Sequence, residues 1–177
     1  MRRHKAPSDH RAGRAAAAVA VAAVLLTSGA GCVDINGGSV EVAWGVFAKD
    51  GRAINDCACA VPLTPPEAET PLAYVRLHLV SDSDPADQPC AGNDDCRFSC
   101  NRKIGATPFM VPPGRYLMSL IPVDASGDDL AAGAVDSPPA ELRSVVKGQP
   151  TELDAFMLQA RCATRCNRGG SMQPCGG

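Results

Sequence analysis

Val40, Val42, Trp44 and Val46 alternate with Glu41, Ala43, Gly45 and Phe47, the period-two signature of a strand with one buried face. Lys49-Asp50-Gly51-Arg52 then supplies an Asp-Gly turn. Ala73, Val75, Leu77 and Leu79 alternate in the same way with Tyr74, Arg76, His78 and Val80, which predicts a second strand. Between the two, Pro62 to Pro71 holds four prolines and should run over the surface or along a sheet edge. Ser81 to Asn101, rich in Asp, Pro and Cys, reads as a loop. Two further strands are predicted at Thr107 to Val111 and Arg115 to Val123, joined by Pro112-Pro113-Gly114 and closed by a turn over Asp124 to Asp128. Leu142 to Val146 and Glu152 to Leu158 complete a set of six or seven, separated by Lys147-Gly148-Gln149-Pro150. Thr151 to Asp154 could also open a short helix, but Gly148, Pro150 and the little chain available favour the strand.

Composition agrees with this spacing. The 177 residues suffice for one ordinary domain, and 17 Gly with 15 Pro point to many turns and few long helices. Aromatics make up only 4%, so the core is expected to be aliphatic. Short strands with frequent turns and no internal repeat predict an all-β sandwich, immunoglobulin-like in general form.

The first residues follow another pattern. Arg2, Arg3, Lys5, Arg11 and Arg14 form a basic region, Ala15 to Leu26 is an unbroken apolar run, and small residues follow from Ser28 to Gly31. This predicts a signal peptide over residues 1–31. The twelve apolar residues would cover about 18 Å as a helix, short of a hydrocarbon core of about 30 Å. Beyond residue 31, 12 basic and 18 acidic side chains remain, a net charge near −6 against −2 for the whole chain. Such an acidic surface argues against a nucleic-acid partner.

The stretch Leu25-Leu26-Thr27-Ser28-Gly29-Ala30-Gly31-Cys32 resembles the lipobox that ends a bacterial lipoprotein signal peptide. Ala30 and Gly31 match its two small positions and Cys32 its acylated cysteine, while Gly29 stands where Leu or Val is usual. The resemblance implies lipid on Cys32 and membrane as partner, with residues 32–39 as a tether freed by Gly37 and Gly38. Ser28 and Ala30 also suit the ordinary signal peptidase, which would release a soluble chain. A third possibility makes Cys32 half of a disulfide.

Phe109-Met110-Val111-Pro112-Pro113-Gly114-Arg115-Tyr116-Leu117 resembles the Pro-Gly-x-Tyr hairpin of prealbumin-like and carboxypeptidase-regulatory-like sandwich domains. An Asp-x-x-Gly turn at Asp124 to Gly127 follows, as in those families. The resemblance implies a seven-stranded Greek-key sandwich over residues 40–177, with a Cys-rich loop and a C-terminal tail. It implies no activity.

Nine cysteines leave one unpaired in an exported chain, and setting aside Cys32 makes the remainder even. Cys57, Cys59, Cys90, Cys96, Cys100, Cys162, Cys166 and Cys175 are therefore expected to form a disulfide framework. On a strand Cys57 and Cys59 would stand about 6.6 Å apart on one face, too far to bond each other. Excluding that pair leaves 90 of 105 connectivities. Bridges are expected to join three clusters, near 57, at 90–100 and at 162–175. A thiolate metal site is disfavoured, since no histidine or Cys-x₂-Cys pair lies nearby.

Catalytic chemistry has little to build on. His78 is the one histidine beyond the signal peptide, on the outward face of a strand with Arg76 and Tyr74, and no hydrolase or nucleotide motif occurs. No cofactor is implied. Asp82, Asp84, Asp87, Asp94 and Asp95 crowd one loop, and carboxylates suit calcium, but the spacing is not that of an EF-hand. The expected function is that of a non-catalytic cell-envelope lipoprotein, with a structural or protein-binding sandwich and another envelope protein as a candidate partner. The alternative is a secreted protein that binds a small ligand or calcium through loop 82–95.

Overall fold

The computed structural model describes residues 35–64, 70–163, 166–168 and 171–173, within a unit that spans Ile35–Gly177. The described residues form twelve strands, β1 Ser39–Phe47, β2 Ala60–Val61, β3 Tyr74–Ser81, β4 Arg97–Ser99, β5 Ile104–Ala106 and β6 Gly114–Val123, then β7 Glu141–Val145, β8 Pro150–Glu152, β9 Phe156–Gln159, β10 Arg161–Cys162, β11 Cys166–Arg168 and β12 Ser171–Gln173. Three 3₁₀ turns occur among them, and the described residues include no α-helix. The chain is all-β.

Two sheets account for most of it. One has the order β4-β3-β6-β7, and the other runs β5-β1-β8, with β9 pairing the same β1. Both β8 and β9 lie parallel to β1, as segments of one interrupted strand. Counted so, the two sheets hold seven strands. The interruption is a bulge: Glu41 to Trp44 advances three residues while the facing Glu152 to Phe156 advances four. The predicted strand Glu152 to Leu158 is thus corrected to two pieces.

The long strands follow from alternation. Val40, Val42, Trp44 and Val46 of β1 turn inward, and Val75, Leu77 and Leu79 of β3 meet them with Met118 and Leu120 of β6 in one core. Each such side chain contributes about 1.5–3 kcal/mol when fully buried. The core is mainly aliphatic, but Trp44, Phe98, Tyr116 and Phe156, four of the chain's seven aromatics, are buried in it. Trp44 and Phe98 stack across the two sheets with ring centroids 6.1 Å apart.

One predicted strand is absent. Thr107 to Val111 forms a turn with a single bridge at Val111, and the strand lies just before it at β5. The buried Thr107 hydroxyl instead accepts a hydrogen bond from the Val40 amide at 2.9 Å, capping the β1 ladder from the side. The loop expected over Ser81 to Asn101 contains β4 as an edge strand. In the predicted Pro62 to Pro71 surface run, residues 65–69 lie outside the described residues.

Candidate functional site

The expected acylation residue, Cys32, and the rest of 1–34 lie outside the described residues, which begin at Ile35. From Gly37 onward the chain is firmly seated. The Gly37 amide donates to the Phe109 carbonyl at 3.1 Å, Gly38 exchanges hydrogen bonds with Val111, and the Gly37 carbonyl accepts from the Gly148 amide at 2.9 Å. A Cβ on Gly37 would collide with the Val111 carbonyl, and one on Gly38 would lie 2.6 Å from both Val145 Cγ1 and the Val146 carbonyl oxygen. The two glycines serve close packing, not the freedom expected of a tether. Ser39, placed at the end of that tether from sequence, already belongs to β1.

The cysteines divide by placement. Cys57 bonds Cys100 across 43 residues, the inter-cluster bridge expected. Cys90 bonds Cys96 across only six, within one cluster, where long-range bridges were expected. The cause is local: Asn93 caps the 3₁₀ turn Asp94–Cys96 by accepting from the Asp95 amide, folding the chain back on itself. Cys59 and Cys162 are also disulfide-bonded. Cys57 and Cys59 sit on a 3₁₀ turn, Cys57–Cys59, rather than on the strand assumed for them, and they do not bond each other. Cys166 begins β11, and Cys175 lies outside the described residues.

Beside the Cys57–Cys100 bridge stands a lysine that sequence reasoning missed. Lys103 has a left-handed backbone (φ 61°) and its ammonium donates to Cys57 Sγ at 3.1 Å. Burial pushes its pKa below the ordinary 10.5, partly countered by the Asp56 carboxylate. Nothing in the local sequence marks this contact, which spans 46 residues.

The acidic loop does not gather its charges. Asp82 pairs with Arg115 at 3.6 Å and Asp94 with Arg97 at 2.8 Å, while Asp84 accepts from the Ala86 amide. Among the described residues no group of three or more His, Cys, Asp or Glu side chains is placed to hold a metal ion. His78 is half-buried on the outward face of β3, paired with Ser119 of β6, and its side chain makes no hydrogen bond or ion pair among the described residues. Its neighbours Arg76 and Tyr74 are engaged elsewhere, the first with Asp129 at 2.6 Å and the second beneath the Arg97 guanidinium.

No known protein family, curated protein or solved structure matches this chain. The chain's own chemistry therefore carries any functional reading.

Among the open grooves elsewhere on the surface, two exceed 400 Å³. One, of about 420 Å³, lies on the outer face of the β1 sheet, where Glu41 and Glu152 stand opposite each other, with Arg102 and the exposed Ile104 beside them. The other, of about 790 Å³, runs between the end of β6 and residues 129–137. Neither contains His78, the Asp-rich loop or a paired acid and base within hydrogen-bond reach. Glu41 was readable as outward-facing from alternation, but its pairing with Glu152 across 111 positions was not.

Proposed function

We propose that this chain is an exported bacterial cell-envelope lipoprotein, acylated at Cys32, whose β-sandwich acts as a non-catalytic structural or protein-binding module. The observation that carries this reading is the oxidised state of Cys57, Cys59, Cys90, Cys96, Cys100 and Cys162. Disulfides of this number persist in oxidising compartments and are rare in a reducing cytosol. An exported chain needs a leader, and residues 1–31 have the basic, apolar and small-residue order of one. In the lipobox-like ending Cys32 stands at the position that bacterial lipoproteins acylate, and more than one acyl chain there gives stable membrane residence at about 0.8 kcal/mol per buried CH₂.

The non-catalytic part of the reading is supported by the scattered placement of the titratable groups. Among the described residues His78 bonds no acid or nucleophile, and aspartates of loop 82–95 are tied into separate ion pairs and turns. Expression of the full chain in a bacterial host, followed by detergent-phase partitioning, tests the anchor. The parent protein is expected in the detergent phase and Cys32→Ala in the aqueous phase. Partitioning of both into the aqueous phase would refute the anchor.

A further inference from the structure

We infer that the corner of the sandwich around Gly37 is the surface that lies against the lipid bilayer, so that the domain sits on the membrane rather than standing off from it. This rests on acylation at Cys32. From Cys32 to Gly37, the first residue hydrogen-bonded into the fold, there are five Cα–Cα steps of 3.80 Å, a reach of at most about 19 Å. Gly37 and Gly38 give no further slack, since both are hydrogen-bonded into the fold. An acyl anchor at Cys32 therefore holds this corner close to the headgroups and leaves the opposite end of β1, nine residues along, up to about 27 Å farther out.

The corner is suited to that position. Three of the seven exposed large apolar side chains among the described residues are here: Ile35 at 39%, Phe109 at 40% and Val146 at 48%. Their chains converge on the two glycines, Phe109 through its carbonyl on the Gly37 amide and Val146 through its carbonyl beside Gly38. Exposed Pro112 and Pro113 extend the apolar surface. Over residues 35–38, 108–114 and 145–149, in a chain with 19 acidic residues, the one ionisable side chain is Lys147, which is exposed. An apolar patch with a single cation matches a lipid interface. The acidic loop borders the corner where the Asn93 side chain meets Met110 Sδ at 3.5 Å. Anionic headgroups repel its carboxylates, so the loop bounds the apolar contact on that side.

Tryptophan quenching tests this on the full chain, purified from the envelope and reconstituted in vesicles of phosphatidylethanolamine and phosphatidylglycerol with brominated acyl chains. Intact mass first establishes the acyl chains. Phe109→Trp and Val146→Trp place a reporter in the corner at two separate sites, and Lys49→Trp places one beyond the far end of β1. The buried Trp44 of the parent gives the background. The inference predicts at least a twofold loss of the added emission at either corner position and none at Lys49→Trp. Acylated protein with no quenching at both corner positions, or with equal quenching at Lys49→Trp, overturns the membrane-facing corner and leaves the anchor standing. Protein without acyl chains overturns both.

Discussion

The Trp44 indole N–H donates to the carbonyl oxygen of Cys100 at 3.1 Å, in the buried interior. This one bond ties the middle of β1 to the residue that Cys57 holds by its disulfide, and the same indole stacks on Phe98 of the opposite sheet. The two sheets, the Cys57 turn and the Cys-rich loop therefore meet at Trp44.

Replacement of Trp44 by Phe keeps an aromatic ring and removes the donor. The Cys100 carbonyl then loses a buried partner, which costs about 1–3 kcal/mol, and the smaller ring adds a cavity term. Urea denaturation followed by circular dichroism is expected to show a lower midpoint with an unchanged slope. An unchanged midpoint would show that Trp44 does not hold this junction together.

The two bridges differ in loop length and should differ in worth. Closure of 43 residues by Cys57–Cys100 stabilises by about 4 kcal/mol on chain entropy, against about 2 kcal/mol for the six-residue Cys90–Cys96 loop. The double variant Cys57→Ala/Cys100→Ala is expected to melt well below Cys90→Ala/Cys96→Ala. The reverse order in thermal melts would show that the entropy of the denatured chain does not set their worth.

Gly38→Ala inserts a methyl 2.6 Å from Val145 Cγ1 and from a carbonyl oxygen. Overpacking of this kind costs about 1–3 kcal/mol. A change within experimental error in a chemical-denaturation midpoint would mean that the corner is looser than its hydrogen bonds indicate.

Lys103 gives a pH dependence of definite sign. Burial holds its folded-state pKa below 10.5, so on raising the pH the native state loses this proton before the unfolded chain does. Between the folded value and 10.5 the unfolded state binds more protons, and the native state gains stability as pH rises. The parent is therefore expected to gain on Lys103→Met as pH climbs from neutral toward 10.5, measured as the difference in unfolding free energy. A difference that is flat or falls with pH would contradict a desolvated ammonium.

Legibility in the sequence tracks element length and one-sided burial. β1, β3 and β6 each bury one face, so alternation marks them to within a residue or two. β4 and β5 have three residues apiece, too few for a period to show, and their places depend on partners 23 and 65 residues away at Val75–Phe98 and Glu41–Ala106. Apolar content therefore points to Thr107 to Val111 instead of β5, although the apolar residues there belong to the corner turn. The bulge between Glu152 and Phe156 is hidden because an extra residue leaves composition unchanged while reversing which side chains face inward. Gly37 and Gly38 look like slack because nothing local shows Val111 and Val145 pressed against them. Of the candidate site, the oxidised cysteines are legible as a class. Their pairing is set by 3₁₀ turns that sequence spacing alone does not reveal.

The central claim is export followed by acylation at Cys32, and intact-protein mass spectrometry of the envelope fraction, with a peptide map of the mature N-terminus, addresses it most directly. The account predicts a chain that starts at Cys32, heavier than its sequence by covalently attached acyl chains. A chain retaining residues 1–31, or one starting at Gly31 or Cys32 with no added lipid, would contradict it.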